Sequence, residues 1–370
     1  MSHRVTSSLL AACCFALAHT CAAIEPIRQA PEASMHARLD QEVPAWLKQT
    51  DVPSVAIAWI EHGAVAWTAV YGEQSPGVPA SAQTLYNVAS LTKPVSAEIV
   101  MRLVAQGKVS LDEPIAAYWV DPDVKDNVWN KLLTPRLCLS HQTGFKNWRH
   151  ESGGKLQFQW QPGTQTGYSG EGYDYIARFV EKKTGKPFEV LAAELVFQPL
   201  GMTQTAYTPR DWFKGRLAVA HGPQGDIAPR EQTTWSAADL LRTTVGDYAR
   251  LVVAVMHGNG LNADLASERL RLTRNLASRE QLAKLCVQAN VSAAHCNGSA
   301  SLALGWQVLQ LDGRTIVDHT GSDPGVHTLA FFDPQRQVGA VVFTNGEKGD
   351  EVIRKVVGVL YPVPLFLQTL

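Results

Sequence analysis

Two apolar, β-prone runs open the body of the chain: VPSVAIAWI (52–60) and AVAWTAVYG (64–72), joined by Glu61-His62-Gly63. They lack the strict polar–apolar alternation of a half-exposed strand, so they predict a hairpin buried on both faces. From Leu91 to Gln106 the spacing becomes helical. Val95, Ile99 and Leu103 recur four apart, and Gly107 follows as a stop. Between Leu111 and about residue 290 the signals are mostly helices and loops, with helices predicted over Tyr173–Lys183 and Val245–Met256. After residue 300 strand patterns return in ALGWQVLQL, RTIVDHT, VHTLAFFD and VGAVVFTN. Turn signals such as Asp312-Gly313 and Asp333-Pro334 separate them, and a last helix is predicted over about Glu351–Leu360.

Strands at both ends with helices between them predict that the two ends pair into one sheet. Residues of about 45–110 and 300–361 would form a sheet lobe, and about 111–299 a mostly helical lobe. No internal repeat, low-complexity tract or dividing linker interrupts the pattern. Residues 24–370 therefore read as one domain of the α/β (α+β) class, long enough to bury a sizeable core.

The first 23 residues read differently. Arg4, an apolar stretch from Leu9 to Ala18 and the small-residue ending Cys21-Ala22-Ala23 make the three parts of an export signal, cleaved after Ala23. Leu10-Ala11-Ala12-Cys13 also resembles a lipoprotein cleavage site, but it leaves little apolar length after Arg4. An exported, periplasmic or secreted protein is the expectation. After cleavage Cys138, Cys286 and Cys296 remain. Cys286 and Cys296 bracket a short polar loop and would pair in an oxidising compartment, or else stay free thiols. Cys138 lies in the apolar stretch LLTPRLCLSH and reads as a small buried side chain.

Charge narrows the partners. With 33 Lys+Arg against 34 Asp+Glu and no long run of one sign, neither nucleic acid nor an anionic membrane is the expected main partner. No apolar run in the body reaches the roughly 20 residues of a membrane span. No His-Glu-x-x-His and no Cys/His cluster suggests a metal, and no cofactor is expected. A Gly-x-Ser-x-Gly elbow is also missing, which speaks against an α/β-hydrolase.

The chemistry-bearing segment is YNVASLTK (86–93). Ser90 and Lys93 stand three apart, one helical turn from each other on one face. If that face is enclosed, burial lowers the lysine pKa and the neutral amine can take the serine proton. The pair alone also fits an N-cap serine beside a solvated lysine. A second Ser-x-x-Lys, Ser152 to Lys155, spans two glycines that would not hold such a turn.

The wider context resembles the β-lactamase-related serine hydrolases, a group that includes class C β-lactamases, DD-peptidases, D-aminopeptidases and esterases of one fold. YNVASLTKPVSAEIVMRLVAQGKVSLDEPI, LTPRLCLSHQTGF, the block QPGTQTGYSGEGYDYIARFVEKKTGKPFEVLAAELVFQPLGMTQT, TTVGDYARLVVAVMHG, LGWQV, HTGSDPGVHTLAFFDP and VGAVVFTN follow in the family's order. The resemblance covers about residues 45 to 360. It implies a β-lactamase/transpeptidase-like fold, an antiparallel sheet flanked by helices plus a mostly helical lobe. It also implies Ser90 as nucleophile, Lys93 as its partner and Tyr168 as general base or acid. His319-Thr320-Gly321 takes the place of the family's Lys-Thr-Gly strand triplet, and the backbone N–H groups of Ser90 and Ser322 would hold the oxyanion. The literal Lys183-Thr184-Gly185 reads as a helix C-cap instead.

Two departures bear on substrate. Class C enzymes have asparagine two residues after the tyrosine, where this chain has Gly170, so a substrate amide loses a side-chain partner. His319 replaces a fixed positive charge with a group largely neutral near pH 7. His319 would hydrogen-bond toward Tyr168 or the substrate, or else only support the strand edge. The expected substrate is a small-molecule carboxylic ester or a D-amino-acid-containing cell-wall peptide. The alternatives are a class C-like β-lactamase and a penicillin-binding sensor or scaffold without turnover. His141 and His150 flank a loop with Trp148 that would line the entrance, or are packing and surface residues.

Overall fold

The computed structural model describes residues 32–227, 233–275, 278–292 and 295–370. The export signal expected over residues 1–23, with its lipoprotein alternative, lies outside them. Among the described residues no helix is long and apolar enough to cross a membrane.

Helix α1 (Glu32–Thr50) leads into β1 (Ser54–Glu61), β2 (Ala64–Ser75) and the short β3 (Val78–Pro79) and β4 (Tyr86–Asn87). Helices α2 (Thr92–Ala105), α3 (Pro135–Leu139), α4 (Gly170–Thr184) and α5 (Phe188–Ala192) follow. The hairpin β5 (Ala220–Gly222) and β6 (Gly225–Ile227) precedes β7 (Arg242–Thr243), α6 (Val245–His257) and α7 (Ala263–Arg269). Then come β8 (Arg274–Asn275), α8 (Arg279–Gln288) and the strands β9 (Gly298–Leu302), β10 (Gln307–Leu311), β11 (Arg314–Asp323), β12 (Val326–Asp333) and β13 (Val338–Thr344). Helices α9 (Gly349–Leu360) and α10 (Pro364–Leu367) close the chain.

Among the described residues nine strands form one antiparallel sheet in the order β3-β2-β1-β13-β12-β11-β10-β9-β8. The first and last strands meet where β1 pairs with β13, Ile57 opposite Val342. Period two explains the continuous apolar run of β1. Ala56, Ala58 and Ile60 join the core beneath the helical lobe, while Val55, Ile57 and Trp59 join a second core under α1 and α9. Two parts of the expectation need correction. β2 is not buried on both faces: Ala64, Val65 and Ala66 are exposed, because only the two-residue β3 lies outside it. The sheet also takes a strand from the segment expected to form the helical lobe, since β8 pairs with β9. Cys286 of α8 is joined to Cys296 by a disulfide, Cα–Cα 5.7 Å, which ties α8 to the approach to β9.

The helix that follows Ser90 and holds Lys93 is central rather than amphipathic. Every residue of α2 from Thr92 to Leu103 is buried. Its buried charges are paired: Glu98 bonds Arg102 one turn on and Arg269 of α7 at 2.8 Å. α4 ends as the Lys-Thr-Gly triplet there suggests, with Gly185 in the left-handed conformation at φ +69° and Lys183 paired with Glu113.

One buried carboxyl has no such partner. Asp318 of β11 is 3% exposed, and its Oδ1 has no hydrogen-bond partner among the described residues. Burial pushes its pKa up to about 8. The folded protein therefore keeps the proton while the unfolded chain releases it near pH 4, and stability falls as pH rises between those values. Asp318→Asn is expected to raise Tm by several degrees above pH 8 and by little near pH 4, as thermal melts across that range would read.

Candidate active site

Ser90 sits in the middle of a single 3₁₀ turn, Ala89–Leu91, that feeds directly into α2. The turn is strained: Ala89 has φ +45°, a left-handed conformation that side chains disfavour. Local bonds hold it there. The Ala89 N–H donates to Asn87 Oδ1 (3.1 Å), Thr92 Oγ1 donates to the Ala89 carbonyl (2.6 Å), and Thr328 Oγ1 of β12 donates to the Val88 carbonyl (3.0 Å).

Lys93 lies one turn on and is fully buried. Its Nζ donates to Ser90 Oγ at 3.0 Å and to the Ala238 carbonyl at 2.9 Å. The ring centroids of Tyr168, Trp148 and Tyr173 stand 4.7, 5.9 and 5.9 Å from the same nitrogen. Burial lowers the lysine pKa to about 8, against the opposing pull of Asp239, Asp174 and Asp323. The Ala238 carbonyl is itself fixed by its loop. Asp174 of α4 accepts from the Ala237 N–H at 2.8 Å and from Ser236 Oγ at 3.0 Å.

Tyr168 precedes α4, whose N-cap is Ser169. Burial around its hydroxyl raises its pKa, against the opposing effect of Ser90, although 40% of the residue is open to solvent. His141 braces the tyrosine from below. It is 2% exposed, its ring stacks on Tyr168 at 4.3 Å, and its Nδ1 accepts the Ser169 N–H at 2.9 Å while its carbonyl accepts the Gly167 N–H at 2.9 Å. Of the two alternatives for His141 the structure selects packing, in a position that fixes the rotation of Tyr168. His150 is exposed.

β11 forms the opposite wall. Val317, His319 and Gly321 share one face by strand alternation, and Val317 belongs to the core beneath the helical lobe. A Cβ at Gly321 would overlap Thr328 Oγ1 and the Val88 carbonyl and come within 3.1 Å of the Ser90 N. The glycine lets the strand run against the serine turn, and Ser322 follows it at an exposed position. His319 Nδ1 donates to the Thr320 carbonyl at 2.7 Å, which leaves Nε2 as the acceptor, and its ring lies 6.3 Å from that of Tyr168. Burial, reinforced by Lys93, lowers its pKa to about 3, so the ring is neutral at pH 7. Thr320 is exposed on the alternate face of the strand.

These residues come together from distant parts of the chain, and comparison with known proteins gives the arrangement a family. A family model described as "Beta-lactamase" matches residues 33–358. The chain belongs to the beta-lactamase family of serine hydrolases.

Within this family the chain is 28% identical over 299 residues to the D-alanyl-D-alanine-carboxypeptidase/endopeptidase AmpH of Escherichia coli, covering 74% of each chain. It is 27% identical over 220 residues to the esterase EstB of Burkholderia gladioli, covering 51% of this chain and 56% of that one. The fold matches the crystal structure of the D-alanine carboxypeptidase AmpC from Burkholderia cenocepacia, with TM-score 0.70, 20% identity, and 89% and 99% of the two chains covered. Beta-lactamase-family membership accounts for the sheet with a helical lobe. It leaves open what this member does with Gly170. A Cβ there would sit 2.6 Å from Cη2 and 2.7 Å from Cζ3 of Trp148, so an indole stands where a side chain at 170 would point.

Three contributors were not legible in the sequence: Ala238 through its carbonyl, Asp174 behind it, and His141 as the brace of Tyr168. A backbone acceptor carries no residue signature, and the others lie 27 or more positions from the groups they serve. Cys138 is buried, and burial pushes its thiol pKa up, so it is no competing nucleophile. Among the described residues no group of three His, Cys, Asp or Glu side chains is placed to hold a metal.

Proposed function

We propose that this chain hydrolyses a carboxylic ester or a D-amino-acid-containing peptide through an acyl-enzyme on Ser90. The observation that carries this is the Lys93 Nζ, 3.0 Å from Ser90 Oγ with its pKa lowered to about 8. About a tenth of such a lysine is neutral at pH 7, and a neutral amine in contact with the hydroxyl is a competent base. Tyr168, with its pKa raised, is scarcely ionised and serves better as the proton carrier to the leaving group.

The steps follow from those states. The Ser90 proton passes to Lys93 as Oγ forms a bond to the substrate carbonyl carbon. The Ser90 and Ser322 N–H groups take the developing oxyanion, a kind of contact worth about 3 kcal/mol per donor. The tetrahedral intermediate expels the alcohol or amine, which receives the proton through Tyr168. Water then adds to the acyl-Ser90 carbonyl with Lys93 and Tyr168 again moving the proton, and the acid leaves. His319, neutral with Nε2 as an acceptor, receives a hydrogen bond from Tyr168 or from a substrate donor rather than supplying a positive charge. The same reading places the enzyme outside the cytosol, on the export pattern of residues 1–23 and the Cys286–Cys296 disulfide.

The test is intact-protein mass over time with an activated short-chain ester, a D-alanyl-D-alanine peptide and a penicillin, each beside product release. Expected is an adduct that peptide mapping places on Ser90, with ester or peptide turnover exceeding that of the β-lactam. A penicillin adduct that never turns over, without ester or peptide hydrolysis, would move the sensor reading ahead. No adduct and no turnover on any of the three would remove the hydrolase assignment.

A pH profile follows from the same pair. Because the neutral form of Lys93 is the active one, kcat/KM is expected to rise about tenfold per pH unit below 7 and level off above about pH 8. A profile flat from pH 6 to 9 would place the base elsewhere.

A further inference from the structure

Trp148 is a large side chain at the site for which the proposed chemistry has no use, yet it is held there firmly. The Gly170 N–H donates to Asn147 Oδ1 at 2.8 Å, and the Glu171 N–H donates to the Asn147 carbonyl at 3.1 Å. On its other side the Arg149 N–H donates to Glu171 Oε1 at 2.8 Å, and the Arg149 guanidinium bonds both oxygens of that carboxylate. The residues before and after the tryptophan are thus bolted to the first turn of α4. The indole then has little choice of position: its six-membered ring packs against Gly170, and its centroid lies 5.9 Å from the Lys93 Nζ that touches Ser90.

Two consequences follow from residue chemistry. The side of the site formed by the start of α4 offers a substrate an aromatic ring and a glycine: the side-chain carbonyl of Asn147 already accepts the Gly170 N–H, and the Glu171 carboxylate is held by Arg149. An amide whose N–H loses its water there without an acceptor pays the full desolvation cost, whereas an ester has no such hydrogen. The ring face also gives an apolar or flat substituent a surface to cover.

We propose that Trp148 is the specificity-determining residue of this site. Seated on Gly170, its indole selects esters of apolar acids over the corresponding amides. This rests on the acyl-enzyme reading above and narrows its substrate class to esters. Gly170 and Trp148 act as a unit, since a larger residue at 170 requires the indole to leave.

The experiment compares p-nitrophenyl esters with p-nitroanilides of the same acids, acetic and phenylacetic, for wild type, Trp148→Phe, Trp148→Ala, Gly170→Asn and Trp148→Ala/Gly170→Asn. Labelling of Ser90 by a fluorophosphonate is followed in parallel. Trp148→Ala is expected to lower kcat/KM for the phenylacetyl ester about tenfold more than for the acetyl ester, with Trp148→Phe in between. Gly170→Asn alone should lose about 100-fold on both esters, through the clash with the indole. The double variant should recover at least tenfold over Gly170→Asn and raise the anilide-to-ester ratio about tenfold above wild type. Additive effects of the two substitutions, or an unchanged acyl preference in Trp148→Ala while Ser90 still labels, would overturn the proposal and leave the hydrolase intact. A wild type that neither labels nor turns over would overturn both together. Thermal melts identify a variant that has lost its fold, and the conservative Trp148→Phe then decides by its acyl preference.

Discussion

Ser90→Ala is expected to reduce kcat/KM by about 10⁴-fold or more on whichever ester or peptide the wild type turns over, and to abolish the covalent adduct. The size follows from the absence of a substitute. Among the groups around the site, Tyr168 and His319 are held by their surroundings in neutral forms, and Cys138 is buried with its thiol pKa raised. What remains in the variant is the pair of backbone donors and substrate positioning. Stability should change by no more than about 1 kcal/mol, since only one hydrogen bond to a half-buried hydroxyl is lost. Steady-state turnover, intact mass and a melting curve on one preparation would settle it. Turnover above one per cent of wild type would mean that the nucleophile is another residue.

Lys93→Met is expected to lower kcat/KM by about 10³-fold, the scale of a lost general base. Methionine keeps the length and fills the same buried space, so the loss reads the nitrogen and not a cavity. The variant should also lose the rise in activity toward pH 8 that neutralisation of Lys93 produces in the wild type. Its fold should survive. Removing a buried ammonium relieves a desolvation cost, which offsets the loss of the bonds to Ser90 Oγ and the Ala238 carbonyl. A pH profile that keeps its limb in Lys93→Met would show that the titrating group lies elsewhere, however large the drop in rate.

Much of the fold was legible because its strands are buried on two sides. The run VPSVAIAWI belongs to a strand that feeds two cores, and the returning strands after residue 300 have the same character. β2 misled for a related reason. Its composition is equally apolar, but the two-residue β3 leaves it near an edge, and strand neighbours are a property of topology rather than of local sequence. α1 left little trace, since its apolar positions are spaced among charges and acquire meaning only against α9 and the sheet.

The serine–lysine pair was readable from one helical turn, and Tyr168, His319 and Gly321 from the order of motifs that resemble a family. By itself the amino-acid sequence put a hydroxyl and an amine three residues apart on one helical turn, a spacing that lets them meet but equally fits an N-cap serine beside a solvated lysine. It did not determine the state of the amine. That came from enclosing Lys93 among Tyr168, Trp148, Tyr173 and the Ala238 carbonyl, residues 55 to 145 positions away in the chain. Nor did it show what fills the space over Gly170, since a glycine specifies only an absence and the indole reaches it from another loop. Proton affinity and pocket shape depend on solvent exclusion by groups distant in sequence, and only the tertiary structure decides which groups those are.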